Sequence, residues 1–221
     1  MSYNTQFNNL EQLPATSWRI VSGPTVNPNA PSGFNFEQLP SGVMKFTIIG
    51  ANYAGELAAV TVPVPPSPTG IFTLAFNLVV DDAASLMAQA LEFDLIVSIG
   101  GWHYNGSFQV NYAEGGECQI VNAAGAWVDT GFKPGLFPAG QKVPVVITCH
   151  VDQVKKIMSV LTINVGGNAF TVPTTLQNIP ATQLNWTDGV TVQVQCDVND
   201  VLAGGQEAFS HEMDGICVGV A

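Results

Sequence analysis

Apolar and polar residues alternate along most of this chain in runs of about 5 to 9 positions, a two-residue period that puts successive side chains on opposite faces of a strand. Proline (14 residues) and glycine (22 residues) fall between the runs and keep them short. Short alternating segments with frequent turn residues are the signature of an all-β sandwich or barrel. The pattern predicts strands over 18–21, 42–49, 58–62, 71–80, 90–99, 107–112, 118–122, 143–151, 157–165, 169–172, 190–198 and 212–220, and one helical turn over 82–87. The proline run over 63–68 cannot donate a ladder of hydrogen bonds, so it reads as an edge or a crossing loop. With 221 residues the chain fits one domain over 1–221, with 1–68 supplying its N-terminal strands and loops.

One strand breaks the rule that apolar runs are plain core. In the segment 89–99, alternation sends Phe93, Leu95, Val97 and Ile99 to one face and Glu92, Asp94, Ile96 and Ser98 to the other. The first face belongs in the core. On the second, two carboxylates stand about 7 Å apart, and at an effective dielectric near 20 their repulsion is on the order of 2 kcal/mol. A bound cation, hydrogen bonds from a neighbouring strand, a proton held on one carboxyl, or hydration would offset it.

Composition narrows the partners. Hydrophobic residues make up 47% and charged residues 10%, the profile of a globular chain. Six basic residues face 17 acidic ones, for a net charge of -11, and only Lys155 and Lys156 are adjacent. Nucleic acid and anionic membranes need a basic footprint, so both are set aside; neutral glycans and cations remain. No apolar run approaches the roughly 20 residues of a membrane span, and the first residues lack a basic start and an apolar signal core. The chain therefore reads as soluble, extracellular if a signal peptide has been removed and cytoplasmic otherwise. Cys118, Cys149, Cys196 and Cys217 show no zinc spacing. Cys149 and Cys196 fall in phase with apolar strand faces and are expected as buried free thiols, with a disulfide as the alternative and its pairing open.

The aromatic residues suggest a ligand. Trp102, His103 and Tyr104 follow the acidic strand in what reads as a loop over 100–106, Trp127 lies in a Gly-rich segment over 125–131, and Trp186 stands between Asn185 and Thr187. Tryptophan beside small polar residues can offer a flat apolar face against which a pyranose ring stacks; the alternative is that these residues plug the sandwich ends. Parity across the hairpin puts Gln109 and Asn111 on the acidic face, beside Ile96 and Asp94. Two glycosylation patterns begin at Asn105 and Asn185. No metalloprotease, nucleophile-elbow, phosphate-loop or dinucleotide pattern is present.

The order of motifs over 69–220 resembles the concanavalin A-like lectin and glucanase superfamily, including its laminin-G-like members. It rests on Phe72-Thr73-Leu74-Ala75-Phe76, then Ala90-Leu91-Glu92-Phe93-Asp94, then the strands either side of the charged turn at 152–156, and a closing strand Met213-Asp214-Gly215-Ile216-Cys217-Val218. The resemblance implies a jelly-roll β-sandwich of two antiparallel sheets, with ligands on a concave face or at the loop rim. In legume lectins a similar acidic strand holds a transition metal and calcium. On that pattern Glu92 and Asp94 would be metal ligands, His103 would be the candidate metal histidine, and calcium or manganese would be the cofactor. No Asn or Asp between Leu95 and His103 completes the oxygen cage. In laminarinase-like glycosidases the strand reads E-x-D-x-E or E-x-D-x-x-E; Glu92 and Asp94 match the nucleophile and the assisting aspartate, while the acid's position is Ile96 or Val97. In noncatalytic laminin-G-like domains the pair is a hydrogen-bonded polar face. The expected function is noncatalytic carbohydrate binding through Trp102, Tyr104, Gln109, Asn111, Trp127 and Trp186. The alternative is a polysaccharide-cleaving enzyme centred on Glu92 and Asp94, and the third reading is a structural or protein-interaction module.

Overall fold

The computed structural model describes residues 6–9, 18–22, 33–41, 43–49, 56–62, 67, 69–80, 88–111, 114–176, 179–183, 188–198 and 208–220. The helical turn expected over 82–87 and most of the proline run lie outside them. The strands are β1 (Gln6–Asn9), β2 (Trp18–Ser22), β3 (Gly33–Gln38), β4 (Met44–Ile49), β5 (Glu56–Val62), β6 (Ile71–Val80), β7 (Ala88–Ile99), β8 (Trp102–Asn111), β9 (Glu117–Val121), β10 (Trp127–Asp129), β11 (Val143–Asp152), β12 (Ile157–Val165), β13 (Asn168–Thr171), β14 (Ile179–Pro180), β15 (Thr182–Gln183), β16 (Gly189–Val198) and β17 (Ala208–Val220). They form two antiparallel sheets. One runs β13-β12-β11-β6-β17-β4-β3, with β1 on β17 and β14 on β12; the other runs β10-β9-β8-β7-β16-β5-β2, with β15 on β8. The segment 1–68 thus contributes strands to both sheets.

The two sheets bury the faces that alternation assigns to the core. Leu74, Phe76 and Leu78 of β6, with Val145 and Ile147 of β11, pack in one core with Phe93, Leu95 and Val97 of β7 and Phe108 and Val110 of β8. Phe93 lies 4.8 Å from Phe76 of the opposite sheet and 6.1 Å from Phe108 of the neighbouring strand, ring centre to ring centre. The acidic strand is therefore an interior strand, flanked by β8 and β16.

The β7–β8 hairpin differs from the expected long loop. Gly100 and Gly101 take φ of 59° and 77°, the left-handed pair that closes a two-residue turn whose twist matches the strands. Trp102 is consequently already paired with Ile99. Further along β8 the opposite sheet comes close to Gly106. A Cβ there would stand 3.0 Å from Cys149 Sγ, 3.1 Å from Met158 Cε and 3.3 Å from the Leu95 carbonyl. Gly106→Val should overfill this point and cost about 1–3 kcal/mol, read as a lower denaturant midpoint; an unchanged midpoint would contradict this packing.

Candidate functional site

Because β7 is central, its acidic face extends over its neighbours in register. Glu92 pairs with Gln195 on β16 and Gln109 on β8; Gln109 pairs with Gln119 on β9, and Gln119 with Asp129 on β10. One row of amide and carboxyl residues thus crosses five strands. In the next row Asp94 lies between Gln193 and Ser107, and in the row on the other side Asn111 pairs with Ala90 and Glu117. Parity placed Gln109 and Asn111 on the right face, but the short turn shifts their partners. Gln109 stands beside Glu92 and Asn111 beside Ala90, while Ile96 and Asp94 face Asn105 and Ser107.

The amides of this face hold one another in a fixed direction. Gln109 Nε2 donates to Gln119 Oε1 at 2.5 Å, Asn111 Nδ2 donates to the same oxygen at 3.3 Å, and Gln119 Nε2 donates to Asp129 Oδ1 at 2.6 Å. Gln109 and Gln119 are buried, whereas Asn111 is half-buried and Asp129 exposed. The network therefore runs from the withdrawn centre of the sheet to its open β10 edge. Buried amides need such partners, since an unpaired one costs roughly 1–3 kcal/mol.

Asp94 is the electrostatic focus. Its side chain is 4% exposed. Burial raises its pKa from the ordinary 3.8 to about 6, against the opposing effect of hydrogen bonds with Ser107 and Glu92. Of the offsets open for the two carboxylates, burial of Asp94 favours the one in which a proton is held on its carboxyl. Asp94 Oδ1 nevertheless has no partner among the described residues, and neither does Asn105 Oδ1, one row away on β8.

The aromatic expectations divide. Trp127 is half-buried on β10 two residues from Asp129, while Val128 between them packs against the core, so Trp127 shares the polar face at its edge. Tyr104 is corrected: it is 0% exposed and pairs with Val97 on the core side of β8, where it cannot stack on a ligand from solvent. Burial, and less so Asp152, raises its hydroxyl pKa. Trp102 shares that core-facing parity and packs partly against the core, with Lys156 Nζ 5.0 Å from its ring centre, so it is an end plug. Trp186 lies outside the described residues.

His103 keeps the polar-face parity but sits opposite Ser98, its Nδ1 3.3 Å from Ser98 Oγ. Four residues along β8 separate it from the partner of Asp94, about 14 Å at strand rise, so Glu92, Asp94 and His103 do not converge on one ion. Burial lowers the His103 pKa. Among the described residues, three acidic groups whose oxygens lie within 4.8 Å of one another are Glu114, Glu117 and Asp129, at the β9–β10 edge. Cys118 and Cys149 are free and buried, each thiol pushed up to about 12 mainly by burial. The side chain of Cys196 is outside the described set. The pattern beginning at Asn105 runs through buried Gly106 and Ser107 within a central strand, which hides it from a modifying enzyme.

The sequence singled out Glu92, Asp94, Gln109 and Asn111 but not Gln119, Ser107, Asn105 or Asp129. Gln119 carried a signal, being the polar residue between Cys118 and Ile120 in a predicted strand. Its contact with Gln109 depends on the turn between β8 and β9, which strand periodicity does not fix.

No protein-family model and no curated protein matches the sequence. Solved structures do match along its whole length. They include a basic winged bean lectin with Tn-antigen (13% identity, TM-score 0.56, 99% of each chain) and a prokaryotic β-1,3-1,4-glucanase, a lichenase derived from a mouse hindgut metagenome (11%, TM-score 0.53, 99% of each chain). An alginate lyase from Chlorella virus also matches (10%, TM-score 0.51, 93% of this chain and 94% of that one). The chain has the concanavalin A-like fold, two antiparallel sheets packed as a sandwich.

Proposed function

We propose that this protein binds carbohydrate without cleaving it, on the polar face of the eight-stranded sheet. The observation that carries this reading is the directed row Gln109–Gln119–Asp129, joined by Asn111, which ends beside half-buried Trp127. A flat aromatic face next to oriented amide and carboxyl groups suits a sugar ring, which has apolar C–H faces and equatorial hydroxyls. The fold it shares with two named winged bean lectins, one solved with Tn-antigen and one with methyl-α-D-galactose, supports it. A glycan array run with and without calcium tests it. Trp127→Ala should weaken the best-bound glycan by about 1–3 kcal/mol while leaving the melting temperature near its original value. Unchanged binding in a folded variant would remove Trp127 from the site.

A second reading has one observation in its favour: an aspartic acid titrating near 6 is poised as a general acid. Cleavage of a glycosidic bond calls for a second carboxyl about 5–5.5 Å away for retention or about 6.5–9.5 Å for inversion. Glu92 interacts directly with Asp94 and so lies closer, while Glu117 and Asp129, two and three strands from β7 and four and two residues off the Asp94 row, are roughly 17 and 16 Å from it. Asp197 of β16 pairs with Ala90. New reducing ends released from a β-glucan by the wild type and abolished by Glu92→Gln would establish this alternative.

A further inference from the structure

The hydrogen-bond ledger of the polar face is unbalanced in one direction. The side-chain amides of Gln109, Asn111 and Gln119 all donate to acceptors within the face. Among the described residues, the buried atoms left without a partner on this face are both acceptors, Asp94 Oδ1 and Asn105 Oδ1. They belong to adjacent strands and adjacent rows, since Asp94 pairs with Ser107 and Asn105 lies two residues before Ser107. Diagonal neighbours of this kind have Cβ atoms within about 7–8 Å, a gap that one small donor group can bridge.

The protein brings no described cation to these oxygens. Beside Asp94 stand Glu92 on its own strand, Asn105, Ser107 and Gln109 on β8, and, by register, Thr191 and Gln193 on β16. The basic residues are placed elsewhere. Lys142 pairs with Asp214, Lys155 pairs with Asp152, and Lys156 covers Trp102. Lys45 is on β4 of the other sheet, Lys133 lies by Gly115, and Arg19 of β2 is three strands from Asp94 in register, about 14 Å. Two acceptors left without partners among the described residues, one of them on a desolvated carboxyl, on a chain of net charge -11, are matched by a donor that also carries positive charge.

Resting on the carbohydrate-binding reading, we infer that this face takes a glycan with free primary amines, glucosamine units of the deacetylated-chitin kind, whose ammonium group sits between Asp94 and Asn105. An ammonium offers three donors and no acceptor, so it can fill both unpartnered oxygens at once. The fold has already withdrawn Asp94 from water, so that part of the desolvation cost is not incurred again on binding. An N-acetylated unit places an uncharged amide with a single N–H there and adds an acetyl group. It satisfies one oxygen at most.

The test is calorimetric titration of the full chain with hexasaccharides of glucosamine and of N-acetylglucosamine, at physiological and at high salt. The wild type should prefer the amine form by about tenfold, the scale of one charge-assisted hydrogen bond. Asp94→Asn should bring the preference close to one, and Asn105→Ala should cut it roughly threefold, so a failure of the first variant to fold leaves the second to decide. Equal binding of the two hexasaccharides overturns the inference. So does an amine preference that survives in both variants, because bulk attraction to an acidic protein changes little when a single charge or amide is removed. Binding of neutral or N-acetylated glycans without the amine form refutes this inference alone. No binding to any glycan on the array refutes the carbohydrate reading and this inference with it.

Discussion

Phe93→Ala lowers the stability of the fold by about 3–5 kcal/mol, read as a fall in the denaturant midpoint with little change in slope. Phe93 is fully buried, and its ring touches Phe76 across the sandwich and Phe108 along the sheet. Truncation removes a large apolar side chain where both sheets meet, and the strand backbones on either side are held by ladder hydrogen bonds and cannot collapse into the void. A midpoint equal to wild type would mean that β7 is not an interior strand, and the polar face built on its other side would fall with it.

Asp94→Asn raises stability at about pH 8 by about 2–3 kcal/mol and flattens the dependence of stability on pH. The folded chain holds the Asp94 carboxyl near 6 against an ordinary value of 3.8, so the neutral form is the one the fold favours. Stability from this group is fully present below the ordinary value and is lost as pH rises from about 4 through about 6, a gap corresponding to about 3 kcal/mol. Asparagine imitates the neutral carboxyl and removes the titration. Urea midpoints of wild type and variant should therefore converge toward pH 4 and separate toward pH 8. Parallel curves, or a variant less stable at pH 8, would show that Asp94 stays ionised at no cost in the fold.

Periodicity was enough where a strand is long and lies between clear breakers. β6 (Ile71–Val80) and β12 (Ile157–Val165) have the bounds that alternation predicts. It failed where pairing, not side-chain pattern, makes the strand. β10 is three residues long, too short for alternation to register, and β1 and β3 carry Asn, Gln and Gly that blur the apolar face. The site was legible to the same degree. The facing of Glu92, Asp94, Gln109 and Asn111 follows from parity within β7 and β8, since a period of two needs no knowledge of the turn. Their partners do not follow. Counting 100–106 as a loop left Trp102 and Tyr104 in solvent, whereas two left-handed glycines close the turn at once and draw both to the core side. The shortage of donors at Asp94 and Asn105 is legible only in three dimensions, because it depends on what Ser107 and Glu92 have already satisfied.

On the proposed reading, ligand binds on the polar face of the eight-stranded sheet. The direct measurement is a titration of isotopically labelled protein with the glycan best bound on the array, followed by NMR. The side-chain amides of Gln109, Gln119 and Asn111 and the indole N–H of Trp127 should shift together with one dissociation constant, while signals from the outward residues of β11 and β12, such as Thr148 and Ser159, stay in place. Shifts confined to the outward face of the nine-stranded sheet, with the Gln119 amide and the Trp127 indole unmoved at saturation, would contradict it.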